Sequence, residues 1–165
     1  MTYEQVLKYI NDTAVFGSKL GLDNITELLN RLGNPQKSFK SVHIAGSNGK
    51  GSVASFISFI LAAASYRTGL FTSPPIIDDR ERICLVSDTK NEISKDDFAL
   101  IGDKVINKCL VMVEDGLDHP TQFELYTALA YLYFYEAGVD VAVIEVGLGG
   151  RLDATNTIIP DLSFI

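Results

Sequence analysis

Only two cysteines stand among the 165 residues, Cys84 and Cys109, with no CxxC pair and no histidine cluster beside either. That excludes a disulfide framework and a zinc site, and leaves two buried thiols in a reducing compartment. A basic run is also missing, and the formal charge is −7. Proteins that track nucleic acid or an anionic membrane need the opposite balance, so small-molecule partners are expected, with no nucleic acid and no membrane. Long hydrophobic runs are absent too. The longest, near residues 53–64, is interrupted by serines and is too short to span a bilayer. The first residues lack the basic-then-apolar layout of a signal peptide, so a cytoplasmic protein is expected. No repeat, low-complexity tract or linker is visible. What remains, 47% hydrophobic and 21% charged, is an ordinary globular composition with enough apolar residues for one core.

Against these absences stands one stretch. Val42-His43-Ile44-Ala45-Gly46-Ser47-Asn48-Gly49-Lys50-Gly51-Ser52 reads as a buried strand, a glycine-rich turn with one lysine, and the start of a helix running from Val53. Glycines let backbone N–H groups converge on an anion, a helix N-terminus adds partial positive charge, and Lys50 can reach terminal phosphates. Ser52 is placed to hold Mg²⁺ through its hydroxyl. The common phosphate-loop pattern has a glycine six residues before the lysine and Ser or Thr directly after it, where this chain has Ile44 and Gly51. A turn whose glycines serve only tight packing is the alternative. The apolar strand before it and the apolar helix after it (Val53, Phe56, Ile57, Phe59, Ile60, Leu61) are the setting that nucleotide binding requires.

Taken in order, Thr2 with Gln5 forms a capping box for a short first helix, expected to fray. A second helix runs from about Asp23, with Ile25, Leu28, Leu29 and Leu32 on one face and Gly33 and Pro35 as stops. After the phosphate loop comes a strand at Gly69–Thr72. Ser73-Pro74-Pro75 then forces a turn, and the charged stretch Ile76–Arg82 is either a solvated loop or a substrate lid. Ser94 opens a long helix whose apolar stripe is core. Gln122–Ala137 is apolar almost all round and calls for burial against a sheet. Val139–Val146 reads as a central parallel strand with Glu145 at its carboxyl edge, and Gly147–Arg151 as the loop beyond it. His43 is expected as a satisfied core histidine and His119 as solvated. Alternating strands and helices predict an α/β, doubly wound, mostly parallel sheet, in which ligands gather at the carboxyl ends of the strands. Pro160–Ile165 starts a further strand, so the chain is read as part of a longer protein.

Three blocks together resemble the folylpolyglutamate synthase and dihydrofolate synthase family, relatives of the Mur ligases. They are Ile44–Ser52; Leu70–Pro74 with Glu81-Arg82-Ile83; and Glu145-Val146-Gly147-Leu148-Gly149-Gly150-Arg151-Leu152-Asp153-Ala154-Thr155-Asn156. Leu20–Gln36 and Thr121-Gln122-Phe123-Glu124 also look like the family. The resemblance implies that residues 1–165 are the N-terminal part of a Mur ligase-like ATP-binding domain, without the C-terminal domain. It implies a ligase that uses ATP and Mg²⁺ to join L-glutamate to a folate or dihydropteroate carboxylate through an acyl phosphate, and that is monomeric when complete. Carried over by position, Asn48, Gly49, Lys50, Gly51 and Ser52 wrap the phosphates, with Lys50 and Glu145 catalytic. Ser52, Ser73 and Glu145 hold the metal, and Pro74, Arg82, Phe123 and Asp153 lie near the pterin-bearing substrate. The family usually shows histidine where this chain has Pro75 and asparagine where it has Arg80, which points to altered substrate contacts there. A Mur-type peptide ligase and a non-catalytic nucleotide-binding remnant are the competing functions.

Overall fold

In the computed structural model, which describes residues 1–17 and 21–165, Thr2 caps helix α1 (Tyr3–Asp12). Its hydroxyl accepts from Gln5 N at 3.3 Å while Thr2 N donates to Gln5 Oε1 at 2.8 Å. Tertiary contact holds this helix, contrary to the expected fraying. Val6 and Ile10 are buried, and a Cβ added to Gly102 would come within 2.3 Å of Val6 Cγ1, so that glycine is what lets α1 seat against α4 (Lys95–Glu114). Helix α2 (Asp23–Arg31) buries Ile25, Leu28 and Leu29 as its periodicity requires. Leu20, where the family-like segment begins, lies outside the described residues.

Six strands form one sheet in the order β4-β3-β2-β5-β1-β6. Four of them are parallel: β1 (Lys40–Ile44), β2 (Thr68–Phe71), β5 (Val141–Glu145) and β6 (Leu162–Phe164). The hairpin of β3 (Ile83–Val86) and β4 (Lys90–Glu92) adds two antiparallel strands at one end, which the sequence did not announce. Helix α3 (Lys50–Ala63) covers one face over Val42, Ile44, Leu70 and Val143. It begins at Lys50, three residues earlier than expected, because Gly49 at φ 75° forms its cap. Its apolar composition is only partly buried, and Phe56 (69%) and Ile60 (67%) are exposed on its outer side.

The opposite face carries the larger core. Helix α5 (Gln122–Glu136) is buried nearly all round because the sheet lies on one side of it and α1, α2 and α4 on the others. Gly69 of β2 gives Phe134 a flat floor, since a Cβ there would meet the ring at 2.9 Å. His119, just before α5, is not solvated as expected. Its Nε2 lies 2.8 Å from the Tyr9 hydroxyl and 3.3 Å from Cys109 Sγ, with the Phe16 ring stacked at 4.9 Å. Both cysteines are free and buried. Among the described residues, no helix is long and apolar enough to cross a membrane.

Candidate active site

Strand register builds the site. Ile44, the last residue of β1, pairs with Glu145, the last of β5, and β2 runs parallel on the other side of β5. The glycine-rich loop, Ser73 and Glu145 therefore emerge from three adjacent strands at their carboxyl ends, where open α/β sheets hold ligands. Glu145 is 5% exposed and its Oε2 accepts from Ser73 N at 3.0 Å. Gly51 packs on the same carboxylate: a Cβ there would stand 3.4 Å from Oε2. Burial pushes the Glu145 carboxyl above its ordinary range, and the Ser73 backbone bond, the Lys50 charge and the Gly51 backbone bond pull the other way without cancelling it.

Lys50 Nζ donates to Gly46 O at 3.0 Å, so the ammonium folds over its own loop. Gly46 (φ 142°) and Gly49 (φ 75°) take conformations that side chains disfavour, which frees the backbone to curl before α3. A cleft of about 630 Å³ is lined by Ser47, Asn48, Gly49, Lys50, Gly51 and Ser52 on one side. Ser73, Pro74, Glu81, Lys90, Glu92 and Glu145 close the other side. All the expected phosphate and metal residues thus meet around one space. Among the described residues no group of three or more His, Cys, Asp or Glu could hold a metal ion; the residues expected to hold Mg²⁺ are one carboxylate and two serines.

A second cavity of about 370 Å³ shares Lys50, Ser73 and Pro74 with the first and continues to Arg82, Phe123, Leu148, Leu152 and Asp153. The four expected substrate residues all line it, but in different ways. Phe123 presents a ring held between Phe71, at a centroid distance of 5.9 Å, and Gly147, where a Cβ would lie 2.6 Å from Cζ. Arg82 is engaged by Asp79 at 3.3 Å and lies 4.7 Å over the Tyr126 ring. Asp153 turns inward, with Oδ2 accepting from Leu148 N at 2.7 Å and Oδ1 from Thr155 N at 3.0 Å and the Thr155 hydroxyl at 2.5 Å. It shapes the loop after β5 rather than offering free oxygens.

Because the Thr155 hydroxyl donates to Asp153, it accepts from His43 Nε2–H at 2.8 Å, which fixes the tautomer of that buried ring. Burial lowers the His43 pKa against the opposing charge of Asp153, so His43 is the satisfied core histidine expected. The stretch Ile76–Arg82 is a solvated surface segment, with Ile76 and Ile77 91% and 92% exposed, but an ordered one. Glu81 accepts from the backbone N of Ile76, Ile77 and Asp78 at 2.7, 2.9 and 2.9 Å, and Asp79–Arg82 forms a 3₁₀ turn. Arg80 joins that turn to β4 through Asp78 at 2.9 Å and Glu92 at 3.5 Å. Sequence reasoning assigned no site role to Thr121, Glu124, Gly147 and Leu148 in the second cavity, or to Lys90 and Glu92 in the first. The capping pattern at Thr121 and the family-like block Thr121-Gln122-Phe123-Glu124 were the signals that could have placed Glu124.

No protein-family model matches the chain. It is 39% identical over 164 residues to the dihydrofolate synthase/folylpolyglutamate synthase of Bacillus subtilis, covering 99% of this chain and 37% of that protein. The crystal structure of folylpolyglutamate synthase from Thermotoga maritima superposes with a TM-score of 0.87 at 44% identity, over 96% of this chain and 36% of the other. A folylpolyglutamate synthase complex with AMPPCP and folate gives 0.87 at 38% identity, over 99% and 39%. The chain therefore spans little more than a third of the length of these relatives. Within that span, sequence and fold agree that it belongs to the folylpolyglutamate synthase and dihydrofolate synthase family.

Proposed function

We propose that this chain carries the nucleotide-binding and acceptor-binding part of an ATP-dependent ligase that joins glutamate to a folate or dihydropteroate carboxylate. Residues 1–165 correspond, in this reading, to the N-terminal part of a Mur ligase-like ATP-binding domain. The observation that carries it is that the two cavities adjoin: Lys50, Ser73 and Pro74 border both the phosphate cradle and the pocket walled by Phe123. A relative crystallised with AMPPCP and folate together supports the pairing of ligands.

In the reaction, an acceptor carboxylate oxygen attacks the γ-phosphorus as ADP leaves; the amine of glutamate then attacks the activated carbonyl carbon and expels phosphate. The N-terminal backbone groups of α3 bind the phosphate chain, and Lys50 exchanges the Gly46 carbonyl for phosphate oxygens as charge builds during transfer. Ser52, Ser73 and Glu145 fit Mg²⁺ because all three offer hard oxygen, and the buried carboxylate lacks a full counter-charge. When bound, the ion would neutralise phosphate charge and polarise the transferring group. Phe123 and Pro74 exclude water around the acceptor ring, which protects an activated acyl group from hydrolysis.

Calorimetric titration of the chain with Mg²⁺-ATP tests the reading. Lys50→Ala is expected to lower affinity at least about tenfold, as befits a lost charge-assisted contact, with stability held within about 0.5 kcal/mol. Unchanged affinity together with a collapsed melting temperature would make Lys50 structural and reject the phosphate role.

A further inference from the structure

On the sheet face opposite α3, outside both cavities, three polar side chains converge: Tyr9 of α1, Cys109 of α4 and His119 in the segment leading into α5. His119 Nε2 lies 2.8 Å from the Tyr9 hydroxyl and 3.3 Å from Cys109 Sγ, and the hydroxyl and the sulfur are 3.7 Å apart. The cysteine is fully buried, and the other two residues are half-buried. No part of the proposed ligase chemistry uses them. His119 Nδ1 stands 2.6 Å from Pro120 O, and a carbonyl only accepts, so Nδ1 carries hydrogen and Nε2 presents its lone pair to the other two groups. Phe16, stacked on the ring at 4.9 Å, supports that orientation. A histidine tied through one nitrogen to a backbone carbonyl, with the other nitrogen turned toward further donors, is held as metal-binding histidines are.

As a hydrogen-bond cluster the group is short of acceptors. The Tyr9 O–H and the Cys109 S–H both face one nitrogen lone pair, and Sγ is closer to that nitrogen than to the hydroxyl. Burial raises the thiol and the phenol above their ordinary ranges, so neither supplies a charge by itself. The three atoms surround a point about 1.9 Å from each, and zinc bonds of about 2.3 Å to sulfur and 2.0–2.2 Å to nitrogen and oxygen would set an ion just above their plane. We propose that Cys109 Sγ, His119 Nε2 and the Tyr9 hydroxyl form a binding site for a borderline-soft divalent cation of the Zn²⁺ class. On binding, the thiol proton passes to solvent, the thiolate and the Nε2 lone pair bond the ion, and the Tyr9 oxygen adds a third contact. Sulfur with imidazole selects such a cation over Mg²⁺. The ion ties α1 to α4 and to the start of α5. His119 is ten residues from Cys109 and 110 from Tyr9, so the spacing that argued against zinc in the sequence does not describe the folded chain.

The test titrates the metal-free chain with Co²⁺ and then with Zn²⁺. Co²⁺ should bind one-to-one with the near-ultraviolet charge-transfer absorption of a cobalt–thiolate bond, and Zn²⁺ should displace it and raise the melting temperature. Oxygen ligands give no such band, so Co²⁺ held at Glu145 is not mistaken for this site. Cys109→Ser should abolish the band. His119→Gln should lower Co²⁺ affinity at least about tenfold, the least that losing even an outer contact of a metal site costs. Tyr9→Phe should bind more weakly while keeping the band. Because the chain has only two cysteines, a band retained in Cys84→Ser assigns the thiolate to Cys109 even if Cys109→Ser fails to fold. Absence of the band in wild type, its survival in a folded Cys109→Ser, or its loss in a folded Cys84→Ser overturns the inference. Wild-type Co²⁺ affinity in His119→Gln or Tyr9→Phe overturns it as well.

Discussion

Replacing Gly147 by alanine would test how the acceptor cavity is held open. The added Cβ would lie 2.6, 2.9 and 3.1 Å from Cζ, Cε1 and Cε2 of Phe123, where carbon atoms normally stand about 3.5–4.0 Å apart. Something must move by about 1 Å, and Phe71 blocks one side of the ring. Phe123 lines the cavity, so its displacement changes the space there. Overpacking of this kind costs about 1–3 kcal/mol, while restricting the unfolded chain returns about 0.4–1 kcal/mol. The clash wins, leaving a net loss near 1–2 kcal/mol. For a chain of this size, that lowers the melting midpoint by roughly 2–8 °C. Calorimetric melting gives the stability and a folate titration gives the cavity, whose affinity should fall as the ring fills it. Phe123→Leu removes the rim that clashes, so the double variant should recover about 1 kcal/mol or more relative to additivity. Wild-type melting in Gly147→Ala, or strict additivity with Phe123→Leu, would refute the reasoning.

Three further outcomes are expected. Because the Glu145 carboxyl is raised in the folded state, the fold holds its proton to higher pH than the unfolded chain does, and stability is lost as pH climbs through that raised value. Glu145→Gln should therefore melt higher than wild type at neutral pH, converge with it below about pH 4, and lose the Mg²⁺ dependence of nucleotide binding; an equal melting difference at both pH values would contradict this. Gly102→Ala should destabilise by about 1–3 kcal/mol despite the better helix propensity of alanine, with Val6→Ala removing most of the further penalty; simple addition of the two in chemical denaturation would count against that contact. Incubated with Mg²⁺-ATP, tetrahydrofolate and labelled glutamate, the chain alone should form no amide product above a Lys50→Ala control, since the two cavities described are accounted for by nucleotide and acceptor and leave no place that holds glutamate in line with them. Product above that control would show that these residues suffice.

Where local pattern carries the signal, the sequence was legible. The run from β1 through the glycine loop into α3, the stripe of α4 and the apolar α5 each follow from periodicity and caps, and the phosphate loop led to Glu145 through the logic of parallel sheets. The β3–β4 hairpin escaped because Lys90-Asn91-Glu92 is polar and exposed, leaving no alternation to read. His119 was misjudged because one of its partners, Tyr9, is 110 residues away. Asp153 and Glu124 show a subtler limit. Both were visible as residues of family-like blocks, yet which oxygens are already occupied depends on Leu148, Thr155 and Thr121 in three dimensions. Arg80 likewise reads as one charge in a charged run until its reach to Glu92 ties the turn to the sheet edge.

The pairing of β5 on both sides makes the sheet a ruler for the chemistry. Successive residues of a strand face opposite ways, so sliding β5 by one position against β1 and β2 would turn the carboxylate of Glu145 through to the other face and bring in Ile144. Sliding by two would restore the face but move the carboxylate by about 6.6 Å along the strand, away from Ser73. No intermediate setting exists. A single insertion or deletion within Val141–Glu145 would misplace the acid by a whole step. The spacing between phosphate cradle and carboxylate is thus protected by backbone hydrogen bonds, leaving the side chains around it freer to vary with the acceptor they receive.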